Sequence, residues 1–267
     1  MNANFPAFKN LSLEYKDFIQ KFVDSYPSYS DFNFTSIWTY DATNVTSFSN
    51  LNDNLVLRFY DYLDDTPFYT FIGDQKVEDT IDILLDKCKE EGIPSVLKLI
   101  PQHSVNNLNP LNDKFVVKED RANFDYIFSL KNLSELPGNR FAMQRNLVNR
   151  FMRRVPNYKF GTLDVEDPQV RDQVLDLFDK WCENKQDRTS HDRDREAMKR
   201  VTSIARDFNL ISLGVWADDV LIGFSFSELL SCGKFVLAHY RKADVNYPGI
   251  YQFMENQIES FLEENNE

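Results

Sequence analysis

The sequence contains few of the residues from which disulfide frameworks and metal centres are built. It has three cysteines and three histidines among 267 residues. Cys88, Cys182 and Cys232 are far apart and form no C-x-x-C pair, and the histidines lack the spacing of a zinc site. The sequence therefore predicts neither a disulfide scaffold nor a metal site. Unpaired cysteines are typical of a reducing compartment, so we expect the protein in the cytoplasm.

Long apolar runs are missing as well. No run approaches the roughly 20 residues that a membrane-spanning helix needs. The N-terminal sequence MNANFPAFKN also lacks the basic and apolar regions of a signal peptide. These absences predict a chain without a transmembrane segment and leave only a peripheral membrane contact open.

Positive charge is scarce overall but concentrated in one place. The chain has a formal net charge of −12 and a pI near 4.8, which argues against non-specific nucleic-acid binding by the whole molecule. Residues 138–160 nevertheless carry six Arg or Lys residues and no Asp or Glu. An anionic ligand is therefore expected first at this basic block.

The apolar content is that of a well-packed globular protein. Hydrophobic residues make up 42% of the chain, with 23 Phe and 12 Tyr. Periodicity and turn signals predict helices at 13–23, 77–90, 140–155, 168–184, 195–208 and 251–262. They predict strands at 55–60, 68–72, 95–100, 115–118, 124–130, 158–165, 211–216, 220–228 and 235–240. Segment 31–40 is ambiguous between helix and strand, with Asp31 as a candidate helix cap, and residues 102–113 are predicted to form a loop.

This mixture predicts an α+β fold, or α/β layers in which helices cover a sheet. Each half shows the order helix, strands, helix, with a division near residue 130.

Several segments resemble one family. EDRANFDYIFSL (119–130) is followed by LPGNRFAMQRNLVNRF (136–151) and, much later, by FVLAHYRKADVNYPGIYQ (235–252). Together with SDFNFTSIW (30–38), this order resembles uncharacterised bacterial proteins related to the C-terminal domain of phosphatidylglycerol lysyltransferase. The resemblance extends from residue 30 to the last predicted helix.

The resemblance implies two tandem acetyltransferase-like (GNAT-like) modules, residues 1–130 and 131–267, each a mixed sheet flanked by helices. Characterised relatives move an aminoacyl group from a charged tRNA to an acceptor such as phosphatidylglycerol. The functional cleft would lie between or within the modules, lined by the residues that match the family motifs. Those residues are Arg145, Asn146, Asn149, His239, Lys242, Asp244, Tyr251 and Gln252.

Two departures from the family pattern accompany the resemblance. FAMQ stands where family members often carry a Lys-rich run before the Arg-Asn pair. The chain also ends at Glu267 without a further strand and motif, so the second module is expected to be trimmed at its C-terminus.

The helix predicted at 140–155 has one polar and one apolar side. At about 100° per residue, Asn146, Asn149, Arg150 and Arg153 face away from the apolar side, and Arg145 lies at the border. Arginine forks hold phosphate or carboxylate well, and amides add neutral donors. This side is expected to bind substrate, with Arg145 and Arg150 on donor phosphate. The alternatives are a surface helix whose arginines pair with acids, and docking on an anionic membrane.

The end of the strand predicted at 235–240 supplies the candidate catalytic residues. His239 and Asp244 are expected to assist proton transfer, with Lys242 as a substrate contact. The alternatives are a hydrogen-bonded structural His239 and a plain salt bridge between Lys242 and Asp244. The following loop has one glycine rather than the spaced glycines of a phosphate cradle, which makes coenzyme A a doubtful cofactor.

The sequence thus predicts an acyl- or aminoacyltransferase that uses a charged tRNA or an anionic small molecule and an amine or hydroxyl acceptor. This prediction requires the helix arginines and His239 to share one solvent-reachable hollow. The alternatives are a non-catalytic binding or regulatory protein on the same scaffold, and a peripheral binder of anionic lipid. The oligomeric state does not follow from the sequence.

Overall fold

The computed structural model describes residues 3–61, 64–108, 114–183 and 191–265. The chain divides into two compact units, Met1–Asp125 and Tyr126–Glu267. The division predicted from the sequence lies about five residues further along the chain.

The N-terminal unit is a four-stranded sheet with helices. Its strands are β1 (Lys9–Asn10), β2 (Ser47–Leu51), β3 (Asn54–Tyr60) and β4 (Pro67–Ile72). They pair in this order, and every pair is antiparallel. The helices are α1 (Lys16–Val23), α2 (Phe34–Tyr40), α3 (Val77–Glu91) and the short α4 (Gln102–Val105).

The core of the first unit lies between α3 and the sheet. The apolar residues of α3 recur at helical spacing, and those of the strands face them. Ile81, Leu84 and Cys88 recur at helical spacing along α3 and pack on Val56 and Phe71. Gly92, with φ 67°, ends α3, as the sequence indicates.

The C-terminal unit repeats the arrangement of a sheet with helices. Its strands are β5 (Tyr158–Thr162), β6 (Ile211–Ala217), β7 (Val220–Leu229) and β8 (Val236–Ala243), paired in this order and antiparallel throughout. Its helices are α5 (Leu130–Glu135), α6 (Ala142–Arg154), α7 (Pro168–Glu183), α8 (His191–Ile204) and α9 (Ile250–Asn265).

The two faces of this second sheet are covered by different helices. Phe224 and Phe226 of β7 pack on α7 and α8. Leu213 and Val215 of β6 pack on α6 and α9, together with Ala243 at the end of β8. Because side chains alternate along a strand, each face forms its own apolar layer.

The α+β prediction is confirmed in its coarse form, as two four-stranded sheets with flanking helices. The predicted mixed sheets are wrong, since both are antiparallel. Tight turns join β2 to β3 and β6 to β7, and such connections favour antiparallel pairing. Asp218 and Asp219, with φ of 47° and 65°, form the turn between β6 and β7.

Three predicted strands do not form. Residues 95–100 are irregular, with Leu99 in the left-handed region at φ 57°. Within 115–118 only Val116 makes an isolated bridge. Residues 124–129 are exposed and form no strand. At Ser129 the chain turns into α5, and the Ser129 side chain accepts the Asn132 N–H at 3.3 Å.

Other elements also differ from the sequence prediction in type or in their first or last residue. The ambiguous segment becomes α2, which Asn33 rather than Asp31 caps by accepting the Ser36 N–H at 3.2 Å. The predicted loop at 102–113 begins with α4, and residues 109–113 lie outside the described residues. Asn184, the predicted end of the fourth helix, also lies outside them.

Candidate functional site

The middle of β8 contains a bulge at one of the predicted catalytic residues. Phe226 pairs with Tyr240 and Ser227 pairs with Ala238, so His239 is the extra residue between them. Bulges redirect side chains and interrupt the ladder, and they are frequent beside active sites.

His239 is a buried partner of a carboxylate. Its side chain is 1% exposed, and its Nε2 lies 2.9 Å from Glu228 Oε2. Glu228 follows Phe226 by two residues on β7 and therefore projects towards α7 and α8. The imidazole is thus buried and hydrogen-bonded, which agrees with the alternative in which His239 is a structural residue.

Asp244 forms an ion pair with a lysine of α7. Lys180 Nζ lies 2.5 Å from Asp244 Oδ2, with the aspartate side chain 3% exposed and the lysine 50% exposed. The Asn246 N–H also donates to Asp244 Oδ1 at 3.0 Å. Burial acts to raise the pKa of Asp244, but the hydrogen bonds from Lys180 and Asn246 outweigh it and hold the pKa below its ordinary value. The carboxylate is therefore ionised at neutral pH.

Lys180 and Lys242 both belong to this side of the sheet. The hydrogen bond to Asp244 raises the pKa of Lys180, which keeps the ammonium charged. Lys242 Nζ lies 3.8 Å from the ring centre of Trp181, a cation–π contact. We call Lys180, Trp181, Lys242 and Asp244 the lysine–aspartate cluster. The ammonium groups of Lys180 and Lys242 can bind a carbonyl or phosphate oxygen, and the ionised carboxylate of Asp244 can accept a hydrogen bond from an attacking group.

The polar side of α6 faces solvent. Asn146, Asn149, Arg150, Arg153 and Arg154 are exposed. Within the part of the chain that the structure describes, none of these three arginines makes an ion pair. We call these five residues the arginine face. Ion pairs with surface acids, the alternative given above, are therefore not found for these arginines among the described residues.

Arg145, at the border of this side, has an internal role. Its Nη1 donates to the carbonyl oxygens of Leu136 at 2.5 Å and Gly138 at 2.7 Å. Leu136 has φ 48° and Gly138 has φ 70°, so the guanidinium fastens a turn that contains two left-handed residues.

The two predicted residues of α9 lie at its first turn. The N–H of Ala243 donates to Tyr251 Oη at 3.2 Å, which joins the helix to the end of β8. Gln252 is half-buried in the same turn.

The structure separates the predicted site residues into two groups. Val148 and Phe151 bury the apolar side of α6 against α9 on one face of the sheet. Lys242 and Asp244 contact α7 on the opposite face. The predicted hollow shared by the helix arginines and His239 is therefore wrong, because the sheet lies between α6 and the side chain of Glu228.

Lys180, Trp181 and Glu228 were missed as site residues. Trp181 carries the general signal of a core tryptophan, and Lys180 that of a polar residue on an amphipathic helix. No local pattern links α7 to the end of β8, because about sixty residues separate them.

Two further properties concern the described residues only. None of their Cys, His, Asp and Glu side chains gather in a group of three or more that could hold a metal ion. None of their helices is both long enough and apolar enough to cross a bilayer.

Comparisons with known proteins agree with the sequence resemblance. The model of the family described as phosphatidylglycerol lysyltransferase, C-terminal, matches residues 23–265. No curated protein matches the chain.

Two crystal structures share its fold. A conserved protein of unknown function from Bacteroides thetaiotaomicron has a TM-score of 0.79 and 21% identity, over 96% of this chain and 86% of that chain. The C-terminal domain (DUF2156) of a protein described as a putative lysylphosphatidylglycerol synthetase, from Agrobacterium fabrum, has a TM-score of 0.56 and 13% identity, over 94% and 74%. At such identities the likeness concerns the fold and not the chemistry.

Proposed function

The chain belongs to the family of the phosphatidylglycerol lysyltransferase C-terminal domain, and on that premise we propose that it transfers an acyl or aminoacyl group. The donor is a charged tRNA, and the acceptor is an amine or a hydroxyl group. The family is aminoacyltransferase-related, which supports the reaction class. The reaction would take place in the cytoplasm, where charged tRNA is found.

A GNAT-like second unit is part of this proposal. From β5 onward its chain order is strand, two helices, three antiparallel strands and a helix. The pair α7 and α8 covers one face of the sheet and α9 the other. This layering supports an active site at the end of β8, a few residues beyond the bulge at His239.

The lysine–aspartate cluster is the observation that carries the proposal. It replaces the hollow shared by the helix arginines and His239, on which the sequence prediction depended, because α6 and the cluster lie on opposite faces of the sheet. The acceptor O–H or N–H attacks the carbonyl carbon of the aminoacyl ester, and a new C–O or C–N bond forms. The ester bond to the ribose breaks, and the proton of the acceptor ends on the ribose oxygen. Lys180, half-exposed beside Asp244, stabilises negative charge on the carbonyl oxygen, and Asp244 orients the acceptor hydrogen.

The loop before α9 supports a donor other than acyl-coenzyme A. Its single glycine, Gly249, lies against the backbone of α6, where a Cβ would be 2.2 Å from the Leu147 oxygen. The close packing on α6 therefore explains why residue 249 is a glycine, and a role in binding phosphate is not needed to explain it.

The test measures transfer of a radiolabelled amino acid from a panel of charged tRNAs to phosphatidylglycerol vesicles and to small amines. We expect labelled product with the wild type, and a loss of at least about 100-fold with Asp244→Asn or Lys180→Gln. Lys159→Gln is the matched control, because Lys159 is an exposed lysine paired with Asp219 at 2.5 Å. A parallel reaction with acyl-coenzyme A tests the other donor. Transfer that is undiminished by both cluster variants would refute the assignment of the site.

A non-catalytic binding or regulatory protein is the competing proposal. The burial of His239 and Asp244, at 1% and 3% exposure of their side chains, favours it because reacting groups must meet substrate. Binding of charged tRNA without turnover on any acceptor would support this competitor.

A further inference from the structure

We propose that two copies of this chain associate by strand addition, in which residues 124–128 of one copy extend the second sheet of the other along β8. The inference concerns an interface and does not depend on the transfer reaction proposed above. It rests on an extended apolar segment without a pairing strand, and on an open sheet edge of opposite charge in the same chain.

Residues 124–128, which we call the exposed segment, already have the geometry of a strand. Phe124 at its start has φ −77° and ψ 138°, and Ser129 just after it has φ −82° and ψ 121°, both in the extended region. The rings of Tyr126 and Phe128 stack at 6.5 Å between centroids, which is about the distance that two residues span along a strand. Because side chains alternate along an extended chain, the aromatic residues share one side and Ile127 lies on the other.

The exposed segment presents a continuous apolar surface. Phe124, Tyr126, Ile127 and Phe128 are 51%, 85%, 74% and 65% exposed. Single apolar residues are common on protein surfaces, but a contiguous apolar patch is typical of an interface. An aromatic residue can bury about 150–250 Å², so three such rings supply about half of the roughly 800 Å² that each partner of a stable dimer buries.

The second sheet offers an edge on which this segment can pair. Among the described residues, β8 has a neighbouring strand on one side only. Every second residue of such an edge strand turns its N–H and C=O outward, and these groups can bind an added strand. Leu229 and Phe235, beside the start of β8, are 44% and 43% exposed. The bulge at His239 ends the regular stretch, so the added strand pairs along residues 235–238.

The charges of the exposed segment and of this edge are opposite, which favours a second copy as the partner. Residues 119–128 contain three acidic residues and one basic residue, whereas residues 234–243 contain three basic residues and no acidic one. Arg241 already pairs with Glu259 at 3.1 Å. Lys234 is exposed at the entry to β8 and makes no ion pair with a described residue. A second copy therefore brings an acidic apolar strand to a basic edge.

Reciprocal pairing closes the assembly at two copies. Each copy supplies one exposed segment and one β8 edge, so a two-fold axis satisfies both contacts at once. Both contacts include an attraction between exposed charges, which salt screens. The dimer should therefore weaken as the salt concentration rises.

Sedimentation equilibrium of the full chain tests the association, at protein concentrations from about 1 to 100 μM. We expect the wild type to pass from monomer to dimer within this range. The double variant Tyr126→Ser, Phe128→Ser should weaken the dimer at least about tenfold, because it removes two of the three rings that the interface buries. Val220→Ser is the matched control, since Val220 is 62% exposed at the other end of β7.

A charge variant tests the choice of edge. Lys234→Glu should weaken the dimer by about threefold or more and make the association less sensitive to salt. Lys159→Glu is the control, because Lys159 is an exposed lysine that already pairs with Asp219 at 2.5 Å.

Cysteine crosslinking identifies the two surfaces directly. Cys232 is exposed in the turn between β7 and β8, whereas Cys88 and Cys182 are buried. In the variant Ile127→Cys, a short bismaleimide should join the new thiol to Cys232 of a second copy and give a dimer on a denaturing gel. Adding Cys232→Ser to the same chain should abolish that product.

Four results would overturn the proposal. They are a wild type that stays monomeric throughout the concentration range, a dimer that the double serine variant leaves unchanged, crosslinks confined to one copy, and oligomers that grow beyond two. Circular dichroism and urea unfolding separate loss of the interface from loss of the fold. Because the exposed segment contacts solvent in a single copy, the monomeric variants should unfold at nearly the same urea concentration as monomeric wild type.

Discussion

Gly249 lies against the carbonyl group of Leu147, so that a Cβ on this glycine would be 2.2 Å from the Leu147 oxygen. Gly249 also has φ 93°, a conformation that other residues rarely adopt. The first turn of α9 therefore packs on the backbone of α6, with Phe253 and Phe151 in ring contact behind it at 4.4 Å between centroids. This contact fixes the position of Gly249, the last residue of the loop that joins Asp244 to α9.

Replacement of Gly249 by alanine should be costly for two reasons. The positive φ alone costs about 1 kcal/mol or more, and the clash with Leu147 forces α6 and α9 apart. Gly233 is the matched control, since it has φ 66° but no atom within 4 Å of the position that an alanine methyl group would take. In urea unfolding, Gly249→Ala should lose at least about 2 kcal/mol more than Gly233→Ala. Equal losses in the two variants would show that the clash with Leu147 does not add to the loss of stability in Gly249→Ala.

The ion pair of Asp244 and Lys180 makes a pH-dependent contribution to stability. Because the folded-state pKa of Asp244 lies below its ordinary value of 3.8, its contribution is present above that pH and disappears as the pH falls through the folded pKa. Asp244→Asn should therefore reduce the free energy of unfolding by about 1–3 kcal/mol at pH 7. The difference from wild type should shrink as the pH falls below the ordinary pKa of 3.8 and through the lower folded-state pKa.

Urea unfolding at a series of pH values measures this difference. Asp219→Asn is the control, because Asp219 also has a lowered pKa through Lys159 but is 83% exposed. An exposed pair contributes little, so that variant should unfold at nearly the same urea concentration as wild type. A difference for Asp244→Asn that is constant with pH would contradict the role of its charge.

Much of the fold could be predicted from the sequence because local signals and packing agree. The helix predicted at 77–90 is α3, with Gly92 at its end, and the meander predicted between 211 and 240 is β6, β7 and β8. The strand predicted at 124–130 failed although its residues favour strands. Strand propensity needs a neighbouring strand to pair with, and the cap supplied by Ser129 turned the chain into a helix instead.

The candidate site was predictable only in part. The outward direction of Arg150 and Arg153 follows from helix periodicity and needs no tertiary information. The pairing of Asp244 with Lys180 could not be found in the same way, because it depends on how α7 crosses the sheet. The bulge at His239 shifts the alternation of β8 by one residue, so the orientation of its imidazole could not be predicted from the sequence either.

Arg145 should contribute to stability through the turn that precedes α6. Arg145→Met removes both hydrogen bonds to Leu136 and Gly138 while keeping much of the side-chain volume. The free energy of unfolding should fall by about 1–3 kcal/mol. Arg145→Lys should recover less than half of this loss, since one ammonium group cannot reproduce the geometry of the guanidinium fork. A stability equal to wild type for Arg145→Met, measured by urea unfolding, would show that the turn holds without it.

Trp181 should hold the ammonium group of Lys242 over its ring. Because Nζ lies 3.8 Å from the ring centre, methyl groups placed on this nitrogen by reductive methylation with ¹³C-formaldehyde fall in the shielding cone of the indole. We expect the dimethyl signal of Lys242 to be displaced furthest upfield in a ¹H–¹³C spectrum, because Lys9 and Lys98 lie further from their rings, at 5.4 and 5.3 Å. Lys242→Arg should remove that signal, which assigns it, and Trp181→Leu should return it to the position of the remaining lysines.

Replacing Trp181 by a smaller aromatic residue distinguishes a cation–π contact with Lys242 from simple proximity of the two side chains. Trp181→Phe keeps an aromatic face with a weaker quadrupole, so the signal should move only part of the way back. If it does, the indole orients Lys242 beside Asp244, and the same variant should raise KM for the acyl donor more than it lowers kcat. A wild-type spectrum without a displaced signal, or a displaced signal that persists in Trp181→Leu, would contradict this arrangement and remove Lys242 from the cluster.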